Sequence, residues 1–183
     1  VKQINNIIKT NYNFMGYTQF GLWAKSLISV DNDAGYEKEQ IKRIEINRIK
    51  KYFNNRLIII DEVHNIRIAD DNSEQKNTTN ILMKIANYTD NMKLILLSAT
   101  PMYNSYKEII WITNLLNIND NRSSIRISDV FDTDGNFIKN DDEDKENGDE
   151  LLKRKLIGYV SYLRGENPYS FPFRIYPDDF SPD

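Results

Sequence analysis

The architecture of this 183-residue chain is set by eight consecutive residues, Leu57-Ile58-Ile59-Ile60-Asp61-Glu62-Val63-His64. The first four are aliphatic, and such a run is typical of a strand buried on both faces of a parallel sheet covered by helices. Two carboxylates follow directly. In an open α/β sheet the carboxyl ends of the strands line the crevice where ligands bind. The stretch therefore predicts a buried strand that delivers Asp61 and Glu62 to a ligand site.

A second predicted strand, residues 93–97, consists of Lys93 and four aliphatic residues and is followed by Ser98-Ala99-Thr100-Pro101. The apolar spacing between and after the two runs predicts a polar loop at 70–77, a helix at 78–88 and another helix at 105–116. Strand, helix, strand, helix in this order predicts an α/β fold with a parallel sheet flanked by helices. Ser98 and Thr100 would then lie beside the turn at Asp61 to His64. Their hydroxyls could bridge to the histidine and to carboxylate-bound water.

The rest of the chain shows several further patterns. Helical spacing predicts a short helix at 2–10, a helix N-capped by Thr18, an amphipathic helix at 37–53 and a helix at 151–163. The acidic run 141–150 predicts a solvated loop. Residues 132–136 hint at a calcium loop, but their glycine comes too early for that ligand geometry, so a solvated hairpin is favoured. An aromatic, proline-rich stretch covers 167–177.

Composition excludes some classes of protein and leaves others open. Apolar residues make up 40%, enough for a core, and 24 Lys and Arg against 27 Asp and Glu give a net charge of −3. This balance argues against a basic surface over the whole chain, although a local basic groove stays open. The absence of cysteine rules out disulfides and thiolate zinc sites. No apolar run approaches the ~20 residues that span a bilayer, so no membrane partner is expected. The missing initiator Met suggests a piece of a longer protein.

The acidic pair and the histidine suit nucleotide chemistry. Asp61 could hold hydrated Mg²⁺, Glu62 could orient or deprotonate an attacking water, and the imidazole of His64, the only histidine, could act as a relay. The alternative is a strand that ends in an acidic turn, with Glu62 capping the next helix and His64 packing in the core. Because Ser98-Ala99-Thr100 follows at the end of the next strand, the two motifs together favour the functional interpretation.

Asp61-Glu62-Val63-His64 followed by Ser98-Ala99-Thr100 resembles motifs II and III of DExH-type superfamily 2 helicases and translocases. The longer pattern is similar to the helicase-like ATPases of large DNA viruses. These include the poxvirus nucleoside triphosphatase I, the early transcription factor small subunit, and relatives in asfarviruses and giant viruses. The residues that carry this likeness are 60–67, 97–105, 108–111, 158–168 and 171–172, with 16–20 similar to a motif of Swi/Snf-like ATPases.

The resemblance implies a partial RecA-like (P-loop NTPase) lobe followed by an irregular linker segment. Residues 1–118 would be the later part of the first lobe with motifs Ib, II and III, 119–150 a variable acidic loop, and 151–183 the segment leading to an absent second lobe. The resemblance implies that Asp61 is catalytic and binds Mg²⁺ through water, and that Glu62 is the catalytic base. It implies that His64, Ser98 and Thr100 couple hydrolysis to movement. Tyr17 and Thr18 would face the nucleic acid. Arg164 would lie near the lobe junction, or would be an ordinary surface or packing arginine.

The implied activity is Mg²⁺-dependent hydrolysis of ATP coupled to movement on DNA or RNA, with a viral RNA polymerase as a partner and a location in the cytoplasmic viral factory or the virion. The chain has no Gly-x-x-x-x-Gly-Lys-Ser/Thr loop to cradle the phosphates. We therefore expect it not to hydrolyse ATP appreciably unless the missing helicase portions complete it. One alternative is a non-catalytic remnant that docks to the polymerase or another protein through its aromatic tail. Another is a restriction-enzyme translocase, against which residues 164–168 count.

Overall fold

The computed structural model describes residues 2–30, 35–66, 73–102, 105–140 and 145–162. Helices and two parallel strands alternate through the middle of the chain, which confirms the predicted α/β class with a parallel sheet flanked by helices. In chain order the elements are α1 (Lys2–Asn11), α2 (Tyr17–Ile28), α3 (Lys38–Phe53), β1 (Leu57–Ile60), a 3₁₀ turn (Val63–Asn65), α4 (Ser73–Tyr88), β2 (Lys93–Leu96), α5 (Lys107–Asn119), α6 (Ile127–Val130) and α7 (Gly148–Leu156).

The two strands pair in parallel, with Leu57 opposite Lys93 and Ile60 opposite Leu96. Along each strand, side chains point alternately to the two faces of the sheet. One face, formed by Ile58, Ile60, Leu94 and Leu96, packs into the main core. The other face, formed by Leu57, Ile59, Ile95 and Leu97, is 44–56% exposed. The prediction of a strand buried on both faces is therefore wrong for the described residues, because their helices cover only one side of the sheet.

The main core lies between that sheet face and helices α2 to α5. Its fully buried members come from four helices and the turn after β1: Ala24, Ile49, Ile85, Leu115 and Val63. The aromatic rings of Phe20, Trp23 and Phe53 close one side of it, with centroids 5.8–6.5 Å apart. This packing fixes the carboxyl ends of both strands on a rigid support.

Two helix starts differ from the prediction. Helix α2 begins at Tyr17 with Gly16 as its N-cap, so Thr18 lies inside the helix and does not cap it. Helix α4 begins at Ser73, within the stretch predicted as a loop. The polar residues at its start contain neither Gly nor Pro, and Glu, Gln and Lys are good helix formers. Thr78, predicted as the first residue of this helix, is buried within it.

The segment after α5 builds a second, smaller core. Ile125, Val130 and Phe131 pack with Ile109 and Ile110 of α5 and with Leu152 of α7. Part of the stretch 119–150 is thus folded and apolar where the sequence suggested a variable acidic loop. The apolar residues of this segment are few and widely spaced among acidic ones, so they form no periodic pattern from which a core could be predicted.

Helix α7 begins earlier and ends earlier than the predicted helix at 151–163. Its start is fixed by Glu150, whose side chain accepts the N–H of Asn147 at 3.0 Å, an arrangement that satisfies a donor at a helix end. Its end is followed by Gly158, whose φ of +88° suits glycine. Lys155 of this helix is buried and donates to the carbonyl and hydroxyl of Ser123 at 2.5 and 2.8 Å. Burial lowers the pKa of Lys155, and nearby Arg154 and Arg122 lower it further.

Residues 131–137 form the predicted hairpin, with an antiparallel bridge between Phe131 and Phe137. Asp132 Oδ1 accepts the backbone N–H groups of Asn136 and Asp134 at 2.8 and 2.9 Å. These bonds lower the pKa of the Asp132 carboxyl, and the bond from Asn136 has the largest effect. The side chain of Asp132 therefore stabilises the turn. Residues 163–183, which include Arg164 and the aromatic tail, lie outside the described residues, and no described helix is long and apolar enough to cross a membrane.

Candidate nucleotide-hydrolysis site

The candidate site lies where β1 and β2 end. The ladder continues one step past the strands, since Leu97 N–H donates to the carbonyl of Ile60 and Val63 N–H donates to the carbonyl of Leu97, both at 2.9 Å. These two bonds fix the turn after β1 against the segment after β2. Asp61 and Ser98, each the first polar residue after an aliphatic run, are consequently held at the same edge of the sheet.

The chain turns sharply at Glu62. Its backbone lies in the left-handed region, with φ of 48° and ψ of 50°, a conformation that costs a residue with a Cβ about 1–2 kcal/mol. The 3₁₀ turn follows at once, closed by the N–H of Asn65 on the carbonyl of Glu62 at 2.8 Å. Val63 enters the core beneath the turn and is 2% exposed. Buried Val63 thus anchors the turn while the side chains of Asp61 and Glu62 remain at the surface.

His64 is the centre of the side-chain contacts. Its Nδ1 lies 2.9 Å from Ser98 Oγ and 3.2 Å from Glu62 Oε2, and its side chain is only 14% exposed. A proton on Nδ1 would be shared between the carboxylate and the serine oxygen, whereas an unprotonated Nδ1 would accept the serine hydroxyl proton. His64 is therefore in direct contact with two other predicted site residues, Glu62 and Ser98.

Thr100 enters this network through its backbone, since its N–H donates to Ser98 Oγ at 3.1 Å. Its side chain is exposed. The bond helps to fix the orientation of the Ser98 hydroxyl. Of the two hydroxyl residues predicted to bridge to His64, Ser98 is the one that the structure places against it.

Asp61 has the properties needed for a magnesium ligand that acts through water. Its side chain is exposed, and Oδ1 accepts the N–H of Glu62 at 3.1 Å, which orients the carboxylate. Mg²⁺ commonly keeps several waters and binds through one or two carboxylates together with substrate phosphates. Within the described ranges, no three His, Cys, Asp or Glu side chains cluster as metal ligands. The donor set thus fits an ion held jointly with a phosphate and does not provide a cage made of protein alone.

Tyr17 also reaches this site, by a contact that the sequence does not reveal. Its hydroxyl donates to the carbonyl of Asp61 at 2.5 Å and lies 3.4 Å from the carbonyl of Glu62. The contact joins residues 44 and 45 positions apart, so no local pattern signals it. Thr18, the neighbouring residue, is exposed and lines a shallow groove between α2 and α4 with Lys25 and Thr78.

A small cleft lies behind His64, between the 3₁₀ turn and α5. Pro101, Glu108 and Trp111 line it together with Val63 and His64. The indole N–H of Trp111 is buried there and has no hydrogen-bond partner among the described residues. The cleft shows that α5 forms the wall of the site on the side away from solvent.

Comparisons with known proteins point to one group of relatives. Two predicted ATP-dependent RNA helicases of Acanthamoeba polyphaga mimivirus are similar to this chain. One is 30% identical over 95% of the chain and 15% of its own length, and the other is 33% identical over 81% of the chain and 26% of its own length. The nucleoside triphosphatase I of Melanoplus sanguinipes entomopoxvirus is 33% identical over 68% of the chain and 18% of its own length.

The chain therefore spans about a seventh to a quarter of the length of these relatives. No family model matches it, and no solved structure matches it. The likeness to these relatives extends over 68–95% of the chain. The chain is thus a sequence relative of the helicase-like nucleoside triphosphatases of large DNA viruses.

Proposed function

We propose that this chain provides the metal-binding and hydrolytic half of a nucleic-acid-dependent, Mg²⁺-dependent ATPase. The observation that carries the proposal is the convergence of Asp61, Glu62, His64 and Ser98 at the carboxyl edge of the parallel sheet. The names of the viral relatives, helicase and nucleoside triphosphatase, support the same chemistry. ATP is the proposed substrate, and DNA or RNA is the proposed track.

In this proposal Asp61 orients the ion through water, with its carboxylate held by the N–H of Glu62. The ion, when bound, would neutralise charge on the phosphates during transfer. Asp61 is suited to this role because its side chain is exposed and is oriented by a hydrogen bond at only one of its two oxygens. The phosphates themselves would be cradled by a loop that this chain does not contain.

Glu62 is the proposed general base. Its carboxylate would accept a proton from the attacking water, and the nearby Nδ1 of His64, at 3.2 Å, would orient the carboxylate. Ser98, at 2.9 Å from the same nitrogen, would link this pair to the segment after β2. Coupling of hydrolysis to movement is thus proposed to run through His64 and Ser98, with Thr100 holding Ser98 in place.

We further propose that residues 1–118 are the later part of a RecA-like lobe of superfamily 2 type, and that 151–183 are the segment toward a second lobe. The exposed aliphatic face of the sheet supports this, since it would be covered by the portions of the lobe that carry the phosphate loop. Tyr17 and Thr18, on α2, would then lie toward the nucleic acid. A viral RNA polymerase partner, and a location in the viral factory or the virion, are proposed from the same resemblance.

Phosphate release tests the proposal. The chain alone should release no more phosphate from ATP than its Glu62→Gln variant, because the phosphate loop is missing. When the chain is joined to a polypeptide that supplies a Gly-x-x-x-x-Gly-Lys-Thr loop, Glu62→Gln should lower the rate by ~100-fold or more, the contribution typical of general-base catalysis. Glu39→Gln, a change at an exposed glutamate of α3, is the matched control.

Two results would contradict the proposal. Hydrolysis by the chain alone that clearly exceeds that of Glu62→Gln would show that the chain needs no phosphate loop. Equal rates for Glu62→Gln and Glu39→Gln in the joined, active protein would show that Glu62 is not the base.

A further inference from the structure

We propose that Tyr17 is a positioning residue that holds the Asp61–Glu62 turn and ties it to helix α2. The catalytic meaning of this role rests on the function proposed above, whereas the structural link can be measured without any activity. The starting point is the bond from the Tyr17 hydroxyl to the carbonyl of Asp61 at 2.5 Å.

The hydroxyl lies between two successive carbonyl groups of the turn. It donates to Asp61 and is 3.4 Å from the carbonyl of Glu62. The same Glu62 carbonyl accepts the N–H of Asn65 at 2.8 Å. The phenol therefore contacts the peptide groups on both sides of the residue that carries the proposed base.

The turn needs support because Glu62 adopts the left-handed conformation, with φ of 48°. Such backbone conformations persist only where the surrounding structure fixes them. Val63, buried below, and the bond from Val63 N–H to Leu97 hold the turn from the core side. Tyr17, which packs partly buried against the same core, adds a hydrogen bond from helix α2. Without the phenol, the carbonyl of Asp61 would lose this hydrogen bond, while that of Glu62 would keep its bond to Asn65.

Helix α2 is itself firmly positioned, which makes Tyr17 a stiff link. A Cβ added at Gly21 would lie 2.3 Å from Thr78 Oγ1, so α2 and α4 approach closely there. The hydroxyl of Thr78 also donates to the carbonyl of Tyr17 at 3.4 Å. A displacement of α2, for example by a ligand on its exposed Thr18 side, would be transmitted through one side chain to the backbone of Glu62. We assign Tyr17 this connection between the outer surface of α2 and the hydrolytic turn.

Tyr17→Phe tests the assignment, because it removes one oxygen and keeps the ring. Tyr159→Phe is the matched control, since it removes a phenol that bonds Asp120, the C-cap residue of α5, at 2.8 Å. Amide hydrogen exchange of the full chain should report the turn directly. Asn65 and Ile66, whose N–H groups close the 3₁₀ turn, should exchange about tenfold faster in Tyr17→Phe, as expected for a bond worth ~1.4 kcal/mol.

A second readout is the ring of His64, the only histidine of the chain. Its proton resonances should shift in Tyr17→Phe, because Glu62 contacts His64, and remain in place in Tyr159→Phe. If Tyr17 has only a general structural role, Tyr17→Phe and Tyr159→Phe should lower the free energy of unfolding in urea to a similar extent. Exchange at Asn65 and Ile66 should then be the same in both variants. Unchanged exchange at Asn65 and Ile66 with an unshifted His64 ring would overturn the assignment. A lack of ATPase activity in the chain joined to a phosphate loop would not overturn the assignment, because neither readout depends on hydrolysis.

Discussion

At the scale of single residues, the close contact between Gly21 of α2 and Thr78 of α4 restricts which side chain can occupy position 21. Gly21 lies in the middle of α2, where alanine is normally the better helix former by about 1 kcal/mol. Here the helix faces buried Thr78 of α4, and a Cβ would lie 2.3 Å from its hydroxyl oxygen. Close packing between the two helices therefore outweighs helix propensity at this position.

We expect Gly21→Ala to lower the free energy of unfolding by about 1–3 kcal/mol, the usual cost of adding a methyl group to a filled space. Urea unfolding measures this. Gly16→Ala is the control, because nothing lies within 4 Å of its added Cβ. In a Thr78→Ala background the effect of Gly21→Ala should shrink, since the opposing oxygen is gone. A Gly21→Ala protein as stable as the wild type would show that α2 and α4 do not approach so closely at this position.

Sequence reasoning reached some of these residues and missed others for a physical reason. Asp61, Glu62, His64 and Ser98 follow aliphatic runs, and parallel strands bring such positions to one edge of a sheet. Their proximity could therefore be predicted. The contact of Tyr17 with Asp61 depends on how α2 packs over a turn 44 residues away. No periodicity within either segment encodes that arrangement.

At the scale of elements, strand β1 shows that a sequence pattern can predict a strand without predicting how deeply its side chains are buried. Four aliphatic residues in a row predict a strand but do not state how many of its faces are covered. Ile60 is 7% exposed, whereas its neighbour Ile59 is 55% exposed. The helix boundaries show the same limit, because α4 begins in a polar stretch that carries no apolar period.

The two neighbouring isoleucines give a matched pair of substitutions. Ile60→Ala should lower the free energy of unfolding by about 2–5 kcal/mol, because it leaves a cavity in the core. Ile59→Ala, on the open face of the same strand, should lower it by about 1 kcal/mol or less. Chemical denaturation of both variants measures the difference. Similar losses would mean that the outer face of the sheet is covered in the folded chain.

At the scale of the whole molecule, two apolar cores support one polar edge. The first core holds the strands and the turn after β1, and the second joins α5 to α6 and α7. Helix α5 contributes to both, through Trp111 and Leu115 to the first and through Ile109 and Ile110 to the second. The second core escaped prediction because its apolar residues are dispersed among acidic ones. The α/β class was predictable because it depends only on the order of the elements.

At the polar edge, we propose that Asp61 contributes to the binding of a divalent cation, weakly in this chain alone because the phosphates that would share the ion are absent. Titration with Mn²⁺, a paramagnetic substitute for Mg²⁺, tests it most directly, with the proton resonances of the single histidine ring as the readout. We predict that Mn²⁺ selectively broadens the ring resonances of His64 in the wild type, and that this broadening is lost in Asp61→Asn. Asp90→Asn, which removes a carboxylate from an ion pair with Lys50, is the control and should show the same broadening as the wild type. A His64 ring that Mn²⁺ leaves sharp in the wild type, or broadens equally in Asp61→Asn, would contradict the claim.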